Sequence, residues 1–496
     1  MSTALWLLWV ASVTTAAQAA EGDGAQWARS ALAQAVVAST DIQDSFHRAQ
    51  SLAEIAETHA ALGNSAEALP LLQLAADSAG TIDSAALASW ARHDIALAYL
   101  KAGDVFRAEE VAESVVDLRL RDSVFAAVVD ARRADRDLTG ALGVARRIQD
   151  IARQGNSMRS VVIAQAGAGD TDAALATARS ILHPTFSALA LGDVATTFAK
   201  QGSFKEARLY AVRIRDDRVR SATLAEIAAA QADAGDLDGA LAAARKVEDK
   251  FSRAEALGRV AAARVRFHGS ASGRELFTQA VALASSARGA TERRCYALIE
   301  IARAQISVGE TSGARDTLQR ASAVLAGVVR HSEKLALIQQ IAPLQARIGD
   351  HGAAMATAWR AEDSSIRPLL VRDVAASQAE AGDVAGAIQA ALALEDRPAG
   401  AAAFFGILRA QSQARDSPGM QTTIEAALRT VRVMRANELK AGALASLAAA
   451  QLVAGDADAA QHIFDEAMSV AGRSDAGPTR TAAYARIADA LGEPRR

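Results

Sequence analysis

A single cysteine, Cys295, in 496 residues leaves nothing with which to form an internal disulfide, a thiolate zinc site or a redox pair. Its setting, Arg294-Cys295-Tyr296-Ala297-Leu298, opens a helical pattern in which a small buried side chain is expected. Aromatic residues are equally sparse: they make up 4% of the chain while hydrophobic residues make up 51%, so the apolar content is mainly Ala with Leu, Val and Ile. That mixture suits closely packed helices and argues against one bulky core. The net charge of −3 gives no general attraction to nucleic acid or to an anionic membrane surface. Lysine is rare, and the dominance of Arg together with abundant Ala points to a GC-rich bacterial genome. Beyond residue 20 no apolar run is long enough to span a bilayer, so no membrane insertion of the mature chain is expected.

Catalytic signatures are missing as well. The sequence holds no His-Glu-x-x-His, no Gly-Lys pair for a phosphate loop and no Gly-x-Ser-x-Gly elbow. Histidines such as His47, His59, His93, His183 and His462 fall in different segments rather than at ligand spacing. No catalytic residue, metal site or cofactor is therefore nominated.

The N-terminus reads as a secretory leader. Ala4 to Val13 form an apolar run, and Ala17-Gln18-Ala19 supplies the small residues of a cleavage site. The expectation is a signal peptide over 1–19, cut after Ala19, and a mature chain in the periplasm or outside the cell. The departure is Met1-Ser2-Thr3, which lacks the usual Lys or Arg. No Cys follows the run, which argues against a lipoprotein anchor.

What the sequence has in abundance is repetition. Aligning segments on one branched or leucine residue gives the markers Ile55, Ile95, Val128, Val161, Val194, Ile227, Val260, Ile301, Ile341, Val374, Ile407, Leu447 and Ile487, spaced by 33 or 40 residues and once by 41. Eight residues after the marker stands Gly in most units, with Arg136, His268 and Arg415 the departures. Thirteen after it stands Ala, as at Ala68, Ala141 and Ala240, with Gly273 and Met420 the departures. The marker belongs to the apolar face of a first helix, Gly supplies the left-handed stop, and Ala marks close approach of a second helix. Asp eleven before the marker, at Asp117, Asp150, Asp216, Asp249, Asp363 and Asp396, is expected to cap the first helix, with Arg four later, as in Arg220 and Arg253, able to pair with it. Seven additional residues are about two helical turns, so the long spacing is read as a longer second helix. Pro70 and Pro343 fall inside helical patterns and are expected to kink them, whereas Pro184, Pro398 and Pro418 stand near helix starts.

The unit Leu224-x-x-Ile227-Ala228-x-x-Gln231-x-x-x-Gly235-x-Leu237-x-x-Ala240-x-x-x-Ala244-x-x-Val247 resembles the tetratricopeptide repeat. The resemblance covers roughly residues 25 to 491 and implies an all-α, right-handed superhelical solenoid over 20–496, with about twelve antiparallel helix pairs and a C-terminal capping helix over Thr479 to Leu491. The family's aromatics are mostly replaced; Tyr99 and Phe198 survive at the fourth residue after the marker, where Gln stands in Gln165, Gln231, Gln305, Gln345, Gln378, Gln411 and Gln451. Those glutamines read either as a polar ligand ladder or as braces for the adjacent turn.

Two function classes follow. One is a binding scaffold for an extended peptide or partner subunit; the other is a cell-wall-acting enzyme, which would need a catalytic domain that the repeats leave little room for. In tetratricopeptide proteins the stripe two before, two after and six after the marker lines the ligand groove. Here it carries Arg266, Arg303, Arg347, Arg372 and Arg409, with Phe405 as an apolar neighbour. That row reads either as a site for an acidic peptide or a carboxylate, or as solvated surface arginines.

Overall fold

The computed structural model describes residues 23–363, 365–475 and 477–491. The expected leader and its cut lie outside the described residues. All regular structure in the described residues is helical.

Along the chain come α1 (Asp23–Ser39), α2 (Ser45–Ala61), α3 (Ser65–Gly80), α4 (Ala85–Lys101), α5 (Val105–Glu113), α6 (Leu118–Ala134), α7 (Leu138–Ala145), α8 (Ile151–Gly167) and α9 (Thr171–Ser180). There follow α10 (Pro184–Lys200), α11 (Phe204–Ala211), α12 (Asp217–Asp233), α13 (Leu237–Arg245), α14 (Lys250–His268), α15 (Arg274–Ser286), α16 (Thr291–Ser307), α17 (Thr311–Leu325) and α18 (His331–Arg347). The last are α19 (His351–Ala358), α20 (Arg367–Glu380), α21 (Val384–Leu392), α22 (Arg397–Gln413), α23 (Ser417–Arg432), α24 (Asn437–Val453), α25 (Ala457–Gly472) and α26 (Pro478–Leu491). Described residues up to Val128 join those from Asp363 onward in one compact unit, and Val129–Glu362 form a second.

From α2 to α25 the helices alternate as the repeat demands. Each marker residue lies in the first helix of a pair and is at most 1% exposed, and Ala68, Ala141 and Ala240 in the second helices are fully buried. A branched side chain at the marker fills the space between neighbouring first helices; truncating one to Ala would cost about 2–5 kcal/mol. The long spacings do lengthen the second helix, from 9 residues in α13 to 16 in α3 and in α25.

Four local devices recur among the pairs. Asp eleven before the marker caps the first helix: Asp150 accepts from the Arg153 amide and Asp216 from those of Arg218 and Val219, while Asp396 stands at the same place without a side-chain cap bond. The Arg four residues later does something other than pair with that Asp. Arg220 donates to the Ile214 carbonyl at 3.0 Å and Arg253 to the Val247 carbonyl at 2.7 Å, each in the short link that follows the preceding helix, so the side chain satisfies a carbonyl that no helix bonds. Left-handed residues end the first helices, and Arg136 and Arg415 adopt φ of 64° and 57° where the other units use Gly. In α14 the helix instead runs on through His268, and Gly269 takes the positive φ one residue later, which absorbs the extra residue of the single 41-residue spacing.

The fourth device settles the glutamines. Gln231 donates to the Asp236 carboxylate at 2.5 Å, Gln378 to Asp383 at 3.1 Å and Gln411 to Asp416 at 3.2 Å. Each of those aspartates caps its second helix by accepting from the amide of Gly239, Gly386 or Gly419. These three glutamines, and Gln451 toward Asp456 at 3.4 Å, brace the caps, while Gln345 instead accepts from Thr357 at 2.7 Å. Pro70 and Pro343 both lie within continuous helices, and Pro184, Pro398 and Pro418 open theirs.

In the first unit the first and last described helices meet. The C-terminal helix α26, expected as a cap, packs on α24 along one side and on α1 and α2 along the other. It carries the thirteenth marker, Ile487, and among the described residues α1 takes the role of its second helix. Trp27, Ala28, Ala31, Leu32 and Ala35 of α1 are buried, and the Trp27 ring stacks on Phe464 of α25 with centroids 4.6 Å apart. The outer side of α26 is thus covered by the chain's own N-terminal helix, which relieves the exposed apolar face that an open stack leaves at its end.

Candidate binding site

Charges of the first helices gather on the stripe and at the position just before each marker, and several are paired between neighbouring repeats. Lys101 meets Glu57 at 2.6 Å. Arg159 grips Asp193 through two nitrogens, and Arg259 is bonded to Glu226. These pairs are partly exposed, so each adds little stability by itself, but their regular spacing ties the register of adjacent helices.

The arginine row expected from the sequence is divided by these pairings. In the second unit Arg266 is bonded to Asp233, Arg303 lies 3.3 Å from Glu300, and both arginines line a shallow cleft of about 210 Å³ with Arg259 and Glu300. Arg347 is exposed at the end of α18. In the first unit Arg372 turns to its neighbour Asp373 at 2.8 Å, and its stem lies against Gly406. Arg409 is partly buried on α22. Among the described residues no ion pair engages Arg347 or Arg409. Phe405 is fully buried and offers no surface to a bound partner, because its position beside the marker turns it into the helix interface.

A larger cleft, about 530 Å³, lies wholly within the first unit, where α26, α2 and α4 run side by side. Its walls come from the stripe, with Ala53, Glu57, Ala61, Leu97, Lys101, Ala485 and Asp489, and from the position just before each marker, with Glu54, Asp94 and Arg486. Some of these charges are satisfied locally. Glu57 is held by Lys101, and Asp94 accepts from Gln50 at 3.3 Å and lies 2.9 Å from His93. The carboxylates of Glu54 and Asp489 have no hydrogen bond or ion pair among the described residues. Burial pushes the Glu54 carboxyl up to about 7; Arg486 draws it down, and Glu57 and Asp489 push it further up. Burial likewise raises Asp489 to about 6, against the pull of Lys101 and Arg486 and with a push from Glu57.

Glu57, Lys101 and Asp489 occupy stripe positions, but the sequence reading did not nominate them as site residues. Glu54, Asp94 and Arg486 were missed; their signal is a run of charged residues immediately before the markers. Cys295 is buried, and its thiol is pushed up to about 12 by that burial, as suits an inert packing residue. Among the described residues no cluster of His, Cys, Asp and Glu has the arrangement of a metal site, and no helix is long and apolar enough to cross a membrane.

The pairing of helices around buried markers defines a tetratricopeptide-like helical-repeat protein. No family model matches the chain, and no curated protein matches it. Several solved structures are similar to it in part. Ton1535 from Thermococcus onnurineus is 15% identical over 64% of this chain and 99% of its own, with a TM-score of 0.25. The human IFIT1 dimer with m7Gppp-AAAA is 14% identical over 90% and 95%, with a TM-score of 0.27. The Naa15/Naa10 structure bound to HypK-THB is 12% identical over 83% and 75%, with a TM-score of 0.29. Likeness of this degree carries no argument about function.

Proposed function

We propose that the chain is an exported interaction scaffold that holds an extended segment of a partner protein along the stripe of its first helices. The observation that carries this reading is the cleft of about 530 Å³, whose walls come from three neighbouring first helices and whose volume falls in the range of ligand pockets. The helix pairs fix the spacing of those walls through buried side chains, so the recess is built on rigid elements. Export rests on the leader pattern and predicts that the mature chain begins at Ala20. Within the same reading, Arg347 and Arg409 are the members of the arginine row able to meet an acidic group of the partner.

The test is site-specific photo-cross-linking in intact cells, with the reactive residue placed at Leu97 in the cleft or at Gln73, exposed on α3. The expected result is a discrete adduct with another protein from Leu97 and none from Gln73. Equal adducts from both positions, or none from Leu97, would overturn the reading.

A further inference from the structure

We propose that the cleft between α26, α2 and α4 receives the positively charged head of a Lys or Arg side chain presented by an extended partner segment. The proposal rests on the scaffold reading for the existence of that segment and adds its chemistry.

The argument is one of charge balance inside a recess. Elsewhere on the first helices carboxylates meet cations across neighbouring repeats, as Asp193 meets Arg159 and Asp233 meets Arg266. Among the described residues that line this cleft, four carboxylates, Glu54, Glu57, Asp94 and Asp489, face two cations, Lys101 and Arg486. Lys101 is committed to Glu57. Arg486 is near enough to draw down the pKa of both Glu54 and Asp489, but one charge cannot neutralise two carboxylates. A partly desolvated carboxylate without a counter-ion costs free energy, which it lowers either by taking a proton or by gaining a cation. The raised pKa values of Glu54 and Asp489 favour the first route when no cation is bound. An entering ammonium or guanidinium group supplies the second.

The remaining wall suits the stem that carries such a group. Ala53, Ala61, Ala485 and Leu97 give an apolar lining along which the methylenes of Lys or Arg can lie. The recess is larger than one such side chain, leaving room for the flanking peptide backbone.

The sign of the pH dependence follows. The cation binds the ionised carboxylates, so affinity is weak where Glu54 and Asp489 hold their protons, rises as the pH passes through 6 and 7, and levels off above about pH 8. Binding releases protons to the buffer.

The probe is a fluorescein-labelled Gly-Lys-Ala repeat peptide, titrated into the purified full chain, beside the same peptide with its lysines acetylated. The expected result is about tenfold weaker binding or more on acetylation, and a similar loss between about pH 8 and pH 5.5. Glu54→Gln should lose most of the affinity and most of its pH dependence while keeping its helicity, since the neutral side chain matches the protonated form that the fold already accepts. Asp489→Asn provides a second variant for the same reading. Competition by spermidine at comparable concentrations would support the site and assign it to free amines, whereas peptide binding that resists spermidine supports the peptide. Equal binding of the acetylated peptide, or unchanged affinity in both variants, would overturn the proposal. Adducts that persist at Leu97 without lysine-peptide binding sink the cation site alone, and lysine-peptide binding without adducts sinks the scaffold alone.

Discussion

Gln231 illustrates how much of the repeat is decided by single residues four or five positions apart. Its amide reaches Asp236, which in turn caps the second helix through Gly239. Gly239 leaves the space in which the brace is made, because a Cβ there would collide with both the Gln231 amide nitrogen and the Asp236 carboxylate. Gly→Ala inside a helix is ordinarily favourable by about 1 kcal/mol. Here Gly239→Ala is expected to destabilise by about 1–2 kcal/mol, since the brace and cap must open. Denaturant unfolding checks this, and in an Asp236→Ala background the same change should be neutral or favourable; stabilisation in the native background would refute the brace. The glutamines were visible in the sequence, but their role was not. An amide at that offset satisfies a ligand ladder and a cap brace equally well until the aspartate five residues on is seen beside it. Arg220 and Arg253 were misassigned for a related reason: their offset from the capping Asp permits a local ion pair, yet the link after the previous helix presents a carbonyl at the same spot.

Elements were more legible than their residues' partners. A marker every 33 or 40 residues fixes the first helix, Gly fixes its end, and the added residues lengthen the second helix as two turns must. Propensity and period agree across the whole chain, which is why even units with Arg136 or Arg415 at the turn keep the same plan despite the left-handed backbone. Pro343 is the exception within an element. It sits in the interior of α18, exposed, with the helix continuous around it. Removing a ring that deletes one backbone donor and crowds the preceding turn should raise stability, so Pro343→Ala is expected to gain about 2 kcal/mol. Differential scanning calorimetry would show it as a higher midpoint, and an unchanged or lower midpoint would mean that the proline fits this helix without cost.

At the scale of the whole molecule, what sequence reasoning missed was the join between the chain's ends. The helix at Ile487 and the helix before Ile55 pack together as the two halves of one pair. Repeat alignment compares each unit with the next in sequence and has no term for contact between the first and the last. The candidate cleft depends on that join, because Ala485, Arg486 and Asp489 form one of its walls. Amide hydrogen exchange over Pro478–Leu491, measured in the chain from Ala20 and in one that starts at Asp41, tests the central claim most directly. With α1 present the account predicts strong protection of α26; without α1, protection there should fall sharply while α8 and α12 exchange as before. Equal protection of α26 in both chains would contradict the pairing of α1 with α26.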